Sequence, residues 1–323
     1  MASEFDLIDN YFCGQQSHRD DVILAQGDDC AIVSCNPDQQ IVISTDTVVV
    51  GTHFLADAPP AWVAHKALAS NLSDLAAMGA KPAWVSMAIT LPHQDLAWLK
   101  AFCDSFFSLA NQHNLQLIGG DTTKGPLAVS LTIQGIVPRG SALLRSGAKD
   151  GDIICVTGNL GDSHAGLEVI LDTSKRHLPH APELERRHFV SISRVALAQQ
   201  LRGIASSCID ISDGLVSDIR HIMKRSGVGA SIDVMALPVS NELSAFSSCA
   251  ESEYAAPWQY ALCSGEEYEL CFTVAPDLLE SVQSLSNEIK AIGRVNSSQE
   301  LHLHRGGERL DYTSQGFDHF RES

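Results

Sequence analysis

Aspartates recur at the ends of apolar runs along most of this chain. They fall in Gly27-Asp28-Asp29-Cys30, Ile43-Ser44-Thr45-Asp46-Thr47, Asn71-Leu72-Ser73-Asp74-Leu75, Gly119-Gly120-Asp121 and Ile209-Asp210-Ile211-Ser212-Asp213-Gly214. Carboxylates are acceptor-only oxygen ligands. A hard cation such as Mg2+ takes one or two of them and fills its shell with phosphate oxygens and water. Acids from several distant segments therefore imply several ions around a polyphosphate, and any fold has to gather those segments.

The chain has 323 residues, 45% of them hydrophobic and 19% charged, which suits a soluble globular enzyme of one large or two medium domains. Its formal charge of -17 argues against nucleic acid as a partner, because that affinity comes from Lys and Arg displacing counterions. An acidic protein that handles anionic nucleotides needs positive charge from elsewhere, and bound metal ions supply it. The nine cysteines are odd in number and form no C-x-x-C pair. Most sit in apolar runs, as in Ile154-Cys155-Val156, and they read as reduced core residues. No signal peptide and no run of about 18 apolar residues is evident, so a cytoplasmic protein with no membrane partner is expected.

Strand and helix patterns alternate along the chain. Residues 30–35 and 40–50 read as strands. From Pro59-Pro60 to Gly79 apolar residues recur at helical spacing, with Pro at the start and Gly at the end. A strand at 84–91, a helix at 95–113 and strands at 115–118 and 127–137 follow, the last two separated by a Gly-rich turn at 119–126. A polar, Gly-bearing break near 141–151 marks a domain boundary. Beyond it come strands at 153–157, 208–211, 230–234 and 269–274, and helices from Asp162, to about Arg202, over 214–225 and near 258–263. The polar stretch Asp172–Arg187 reads as a loop.

A lone aspartate in a loop is usually a turn residue or a helix cap, so the argument rests on number and placement. Asp210-Ile211-Ser212-Asp213-Gly214 follows a strand and opens a helix, where a cap and a phosphate are both at home. No P-loop and no dinucleotide-binding glycine pattern is present. His18-Arg19-Asp20 mimics a kinase catalytic loop without its other parts. His302 and His304 lie on one face of a strand and lack a third zinc ligand. His53 follows the Ser44-Thr45-Asp46 cluster closely enough to touch a substrate.

Together with Arg145-Ser146-Gly147-Ala148 and Ser264-Gly265-Glu266-Glu267-Tyr268-Glu269-Leu270, these motifs resemble, in order and over nearly the whole chain, the bacterial thiamine-monophosphate kinases. These are relatives of aminoimidazole ribonucleotide synthetase and selenophosphate synthetase. The resemblance implies a two-domain α/β (α+β) fold. Residues 1–148 would form an ATP- and Mg2+-binding domain that dimerises through a shared β-barrel, and 149–323 a C-terminal α/β domain. It implies phosphorylation of thiamine monophosphate by ATP to give thiamine diphosphate, by a homodimer. It also implies residue roles. Asp29, Asp46, Asp74, Asp121 and Asp210 would bind a magnesium cluster with oxygens of Ser44 and Thr45, and Asp213 would hold a further ion. Gly120, Asp121, Arg145 and Ser212 would contact ATP, while His53, Glu266 and the ring of Phe317 would contact the thiamine end. Asp28 belongs to the same motif, as a ligand or as a residue that orients the loop.

The implied nucleophile is a phosphate oxygen already ionised at pH 7, so no protein general base is needed. Catalysis then comes from positioning and charge neutralisation. Aminoimidazole ribonucleotide synthetase is the nearest alternative, since the segment Cys13-Gly14-Gln15-Gln16 offers too little for a selenophosphate synthetase. A nucleotide-binding regulator without turnover is the alternative from another class.

Overall fold

The structure, a computed structural model, describes residues 11–12, 15–26, 29–249 and 256–311. These residues separate into two compact units, one within Met1–Leu75 and Ala80–Ala142, the other within Ala76–Gly79 and Leu143–Ser323.

In the first unit β1 (Val22–Leu24) pairs antiparallel with β2 (Ile32–Val33) as a small ribbon. The main sheet has four strands in the order β3-β6-β4-β5: β3 (Gln39–Val49), β4 (Lys81–Leu91), β5 (Gln116–Lys124) and β6 (Ala128–Pro138). All neighbours are antiparallel except β4 and β5, whose parallel pairing needs a crossover. Helix α2 (Leu96–Gln112) makes it, capped by the Asp95 carboxylate, which accepts from the N–H groups of Ala97 and Trp98. Helix α1 (Pro60–Ala77) begins on a proline and buries Val63, Ala67, Leu68, Leu72 and Leu75. Leu75 lies 3.0 Å from where a Cβ on Gly135 would be, so α1 covers the face of β6 that carries Leu131 and Ile133.

In the second unit seven strands run in the order β13-β12-β9-β11-β7-β10-β8, with only β9 and β12 parallel. They are β7 (Ile153–Val156), β8 (Ser207–Asp210), β9 (Gly229–Asp233), β10 (Leu270–Val274), β11 (Lys290–Asn296), β12 (Leu301–Arg305) and β13 (Glu308–Leu310). The helices are α3 (Asp162–Leu171), α4 (Ala181–Phe189), α5 (Val195–Leu201), α6 (Leu215–Ser226), α7 (Asn241–Ser247), α8 (Pro257–Cys263) and α9 (Leu279–Gln283). One core packs α6 and α8 against the sheet through Ile154, Val156, Ile219, Ile222, Leu262 and Ile292. Another joins α3, α4, α7 and α8 through Val169, Leu184, Phe246 and Tyr260.

Three sequence expectations need correction. The stretch Asp172–Arg187 is not a loop: a 3-10 turn, Thr173–His177, is capped by Asp172, and α4 follows. Only Ala181, Leu184, His188 and Phe189 of that helix are buried, which leaves the composition polar. The segment 119–126 is not wholly a turn, because β5 runs through Gly119-Gly120-Asp121 to Lys124. Cys30, Cys35 and Cys249 are exposed, whereas Cys103, Cys155, Cys208 and Cys271 are buried.

Glycine at position 120 is what lets β5 continue. It pairs with Met87, and a Cβ there would lie 1.8 Å from the Met87 carbonyl oxygen. Backbone cannot yield as a side chain can, so Gly120→Ala is expected to lower stability by about 3 kcal/mol or more. Denaturant unfolding checks this, and an unchanged midpoint would contradict the β4–β5 register.

Candidate active site

The first unit carries its site residues on β3, α1 and β5. Side chains alternate faces along a strand, and residues opposite each other in a ladder share a face. Ser44 and Asp46 stand opposite Ile133 and Leu131, which are fully buried, and so lie on the helix-covered face. There the Ser44 hydroxyl donates to an Asp74 carboxylate oxygen on α1. Asn71, three residues before Asp74 and 1% exposed, donates its amide to the Ala67 carbonyl at 3.0 Å, while its Oδ1 has no hydrogen-bond partner.

Thr45 is on the other face, its hydroxyl 2.9 Å from that of Thr132. Asp121 shares that face, since it pairs with Ala88, Ala88 with Ser130, and Ser130 with Thr47. The strands β3 and β5 are also the two edges of the sheet. They stand three inter-strand spacings apart, roughly 14 Å, so one copy of the sheet keeps Asp46 and Asp121 apart.

His53 lies in the turn after β3, where its Nδ1 accepts from the Val49 N–H at 3.1 Å. Lys66, buried on α1, donates to the His53 carbonyl at 2.9 Å and fixes the turn to the helix. Asp29 is exposed just before β2. Asp28 and Phe317 lie outside the described residues.

In the second unit the turn after β8 meets the loop before β10. The Glu266 N–H donates to the Ser212 carbonyl at 2.7 Å, and the Tyr268 N–H to the Ile211 carbonyl at 2.9 Å. A Cβ on Gly265 would lie 2.9 Å from the Ser212 oxygen, closer than a real Cβ sits, so glycine lets the two backbones meet. Glu266 and Tyr268 both hold positive φ, 57° and 56°. Such strain in non-glycine residues persists only where surroundings fix it, and it concentrates at functional sites. Ser212 and Glu266 are thus brought together.

Asp210 ends β8 and Asp213 stands in the turn before α6, whose first turn carries an acid that the sequence motifs did not single out, Asp218. It is 2% exposed and accepts from the N–H groups of Ser212 and Asp213 at 3.0 and 3.1 Å. Burial pushes its carboxyl up to about 8, and the charges of Asp213 and Asp210 add to the rise. The signal was an aspartate within the buried stripe Leu215, Ile219 and Ile222 of α6. Arg145 is exposed. The Ser226 hydroxyl shapes its loop, donating to the Arg145 carbonyl and accepting from the Gly147 and Ala148 N–H groups at 3.1 Å. Arg145 also helps burial to hold His221 below the usual histidine range, against Asp213. His302 and His304 sit on β12, His302 with Nε2 3.3 Å from the Ser298 hydroxyl.

Among the described residues, no three of His, Cys, Asp and Glu converge closely enough to hold a metal ion by themselves. No described helix is long and apolar enough to cross a membrane.

Residues 27–137 match the family described as AIR synthase related protein, N-terminal domain, and residues 149–305 match its C-terminal domain. The class is thus that of the AIR synthase related proteins. Over 326 residues the chain is 49% identical to the thiamine-monophosphate kinase of Escherichia coli K12, covering 99% of this chain and 98% of that protein. The crystal structure of the thiamine-monophosphate kinase from Stenotrophomonas maltophilia K279a superposes with a TM-score of 0.81 at 39% identity, over 90% of this chain and 93% of that one. AaThiL complexed with AMPPCP and TMP gives 0.78 at 30% identity, over 91% of each chain. The chain belongs to the thiamine-monophosphate kinase family.

Beneath Glu266 the buried Glu267 accepts from the N–H groups of Gly161 and Ser163 at 2.7 and 3.2 Å and from the Ser264 hydroxyl. Burial pushes its carboxyl from 4.5 up to about 8, with Asp162 adding to the rise. Between those values the folded chain keeps a proton that the unfolded chain has released. Its contribution to stability is therefore full below about pH 4.5 and is lost as pH climbs through 8. Glu267→Gln keeps a carbonyl acceptor and carries no charge, so it is expected to melt higher than the parent at pH 8, with a smaller gap at pH 5. Thermal unfolding at the two pH values checks this, and equal gaps would contradict it.

Proposed function

We propose that this chain transfers the γ-phosphoryl group of ATP to the phosphate of thiamine monophosphate, giving thiamine diphosphate and ADP. The observation that carries the reading is the 49% identity, over nearly the full length, to the Escherichia coli thiamine-monophosphate kinase.

The acceptor oxygen is ionised near neutral pH, since a phosphate of this kind has a second pKa of about 6. The chain's task is therefore to orient two anions in line and offset their repulsion. Gly120, Asp121, Arg145 and Ser212 are assigned to ATP, with the Arg145 guanidinium suited to paired contacts with phosphate. His53, Glu266 and Phe317 are assigned to the thiamine end, whose thiazolium is a cation that a carboxylate and an aromatic face favour.

Asp29, Asp46, Asp74, Asp121, Asp210 and Asp213, with oxygens of Ser44 and Thr45, are assigned to Mg2+. For Thr45 that oxygen is the main-chain carbonyl, because its hydroxyl is on the opposite face and bonded to Thr132. The donor set suits a hard cation. The charges of Asp213 and Asp210, which add to the rise that burial causes at Asp218, are offset by a cation, and the orphaned Asn71 Oδ1 near Asp74 is an acceptor for a metal or its water. Bound there, Mg2+ would neutralise the facing phosphates.

The active form is proposed to be a homodimer in the cytoplasm. The edge strand β3 exposes Ile41 and Ile43, 43% and 64% accessible, on the face shared with Thr45 and Thr47. Bare edges invite pairing. Two sheets joined edge to edge into a closed barrel would remove both edges and set the Asp46 edge of one copy beside the Asp121 edge of another. The free thiols suit a reducing compartment.

With ATP and Mg2+, thiamine diphosphate should form from thiamine monophosphate and not from thiamine, and chelation with EDTA should stop it. Formylglycinamidine ribonucleotide, the substrate expected of an aminoimidazole ribonucleotide synthetase, should yield no product. Turnover of thiamine, or of that ribonucleotide, would overturn the assignment.

Ile43→Asp places a charge on the exposed face of β3. It is expected to shift sedimentation from dimer to monomer and to lower kcat at least tenfold. A parent protein that sediments as a monomer at micromolar concentration would refute the dimer.

A further inference from the structure

His188, near the end of α4, is 3% exposed although it carries no part in the chemistry described so far. Its Nδ1 lies 3.1 Å from both the hydroxyl and the carbonyl oxygen of Ser163, at the start of α3. Its Nε2 lies 3.4 Å from Glu266 Oε2. Nδ1 can accept from the Ser163 hydroxyl, which leaves the ring proton on Nε2, or donate to the Ser163 carbonyl; the contact with Glu266 needs the proton on Nε2, so the carboxylate selects the first arrangement. The sequence Ser163, His188, Glu266 superficially resembles a nucleophile with its base and orienter. Ser163 is only 2% exposed, however, and its hydroxyl is spent inside the unit. The open end of the array is Glu266, whose side chain is 25% exposed.

We propose that His188 is a positioning residue, which holds the Glu266 carboxylate in place to receive the cationic end of the acceptor. The inference rests on the assignment of Glu266 to the thiamine end. Two independent restraints then converge on Glu266. Its main chain is pinned at positive φ by its N–H bond to the Ser212 carbonyl. Its side chain is long, and any rotamer freedom that it loses at the moment of binding costs affinity. His188 supplies the restraint, and its own ring is locked by Ser163 and by the edge-to-face ring of Phe189 at 5.1 Å. Preorganisation of this kind acts on acceptor affinity, because the carboxylate is assigned to the acceptor's cationic end and not to the transferring phosphoryl group.

The test compares His188→Phe, which keeps a ring but has no donor, with His188→Gln, whose amide restores a donor near the Nε2 position. His188→Phe is expected to raise the KM for thiamine monophosphate about tenfold, the order of a lost contact to a charged group, with ATP KM near the parent's and a melting temperature a few degrees lower, because the buried Ser163 hydroxyl loses its Nδ1 partner. His188→Gln should recover most of it, and His188→Phe should add nothing in a Glu266→Gln background. Should the phenylalanine variant not fold, His188→Asn, which withdraws the donor from Glu266, serves in its place. A raised acceptor KM in Glu266→Gln with none in His188→Phe would overturn the inference alone. An unchanged acceptor KM in Glu266→Gln would overturn the assignment beneath it, and the inference with it.

Discussion

The turn after β8 and the loop before β10 are joined backbone to backbone, Glu266 N–H to Ser212 carbonyl and Tyr268 N–H to Ile211 carbonyl, and the C-terminal unit's share of the site depends on that joint. Each bond nets on the order of 1 kcal/mol, while each positive-φ residue costs on the order of 1–3 kcal/mol. The two bonds alone do not offset the two strained residues. The balance comes from Glu267, which ties the strained segment to the start of α3 and to Ser264, and from Glu269, which accepts from Nε and Nη2 of the buried Arg194 at 2.5 and 2.7 Å. The three acids that flank Tyr268 therefore divide their work: Glu267 and Glu269 hold the backbone, and Glu266 meets His188.

In the N-terminal unit the governing constraint is strand alternation. Ser44 and Asp46 share a face with Asp74 because they are two residues apart on β3, and Thr45 between them is excluded for the same reason. The same rule puts Asp121 with Thr47 and not with Asp46. A sheet with two bare edges, one of them exposing Ile41 and Ile43, has a physical reason to close with a second copy, which is the reason offered above for a dimer.

Much of this was legible in the sequence. The helix from Pro60, the strand-turn-helix around Asp210–Gly214 and the strand at Leu270 each carry punctuation or periodicity that a single chain prints plainly. What could not be read was set by partners far along the chain. Gly119-Gly120-Asp121 has the composition of a turn and became strand because Met87 leaves room only for glycine beside it. Helix α4 looked like loop because only four of its residues are buried, although Ala181, Leu184 and His188 do recur at helical spacing. β11 (Lys290–Asn296) and α7 (Asn241–Ser247) are short elements whose burial is decided by their neighbours, and they gave no local signal strong enough to find. Asp218 and His188 escaped because an acid or a histidine on a buried stripe looks like an interruption of the pattern until its partners are placed.

The account holds that the γ-phosphoryl group passes straight from ATP to an acceptor oxygen that is already anionic, with the chain's carboxylates and loops arranging the approach and no side chain carrying the group. The stereochemistry of transfer tests this most directly. With ATP made chiral at the γ-phosphorus by oxygen isotopes, one in-line displacement inverts the configuration in the thiamine diphosphate product, and this is the result expected. Retention would mean two displacements through a phosphorylated enzyme and would contradict the account.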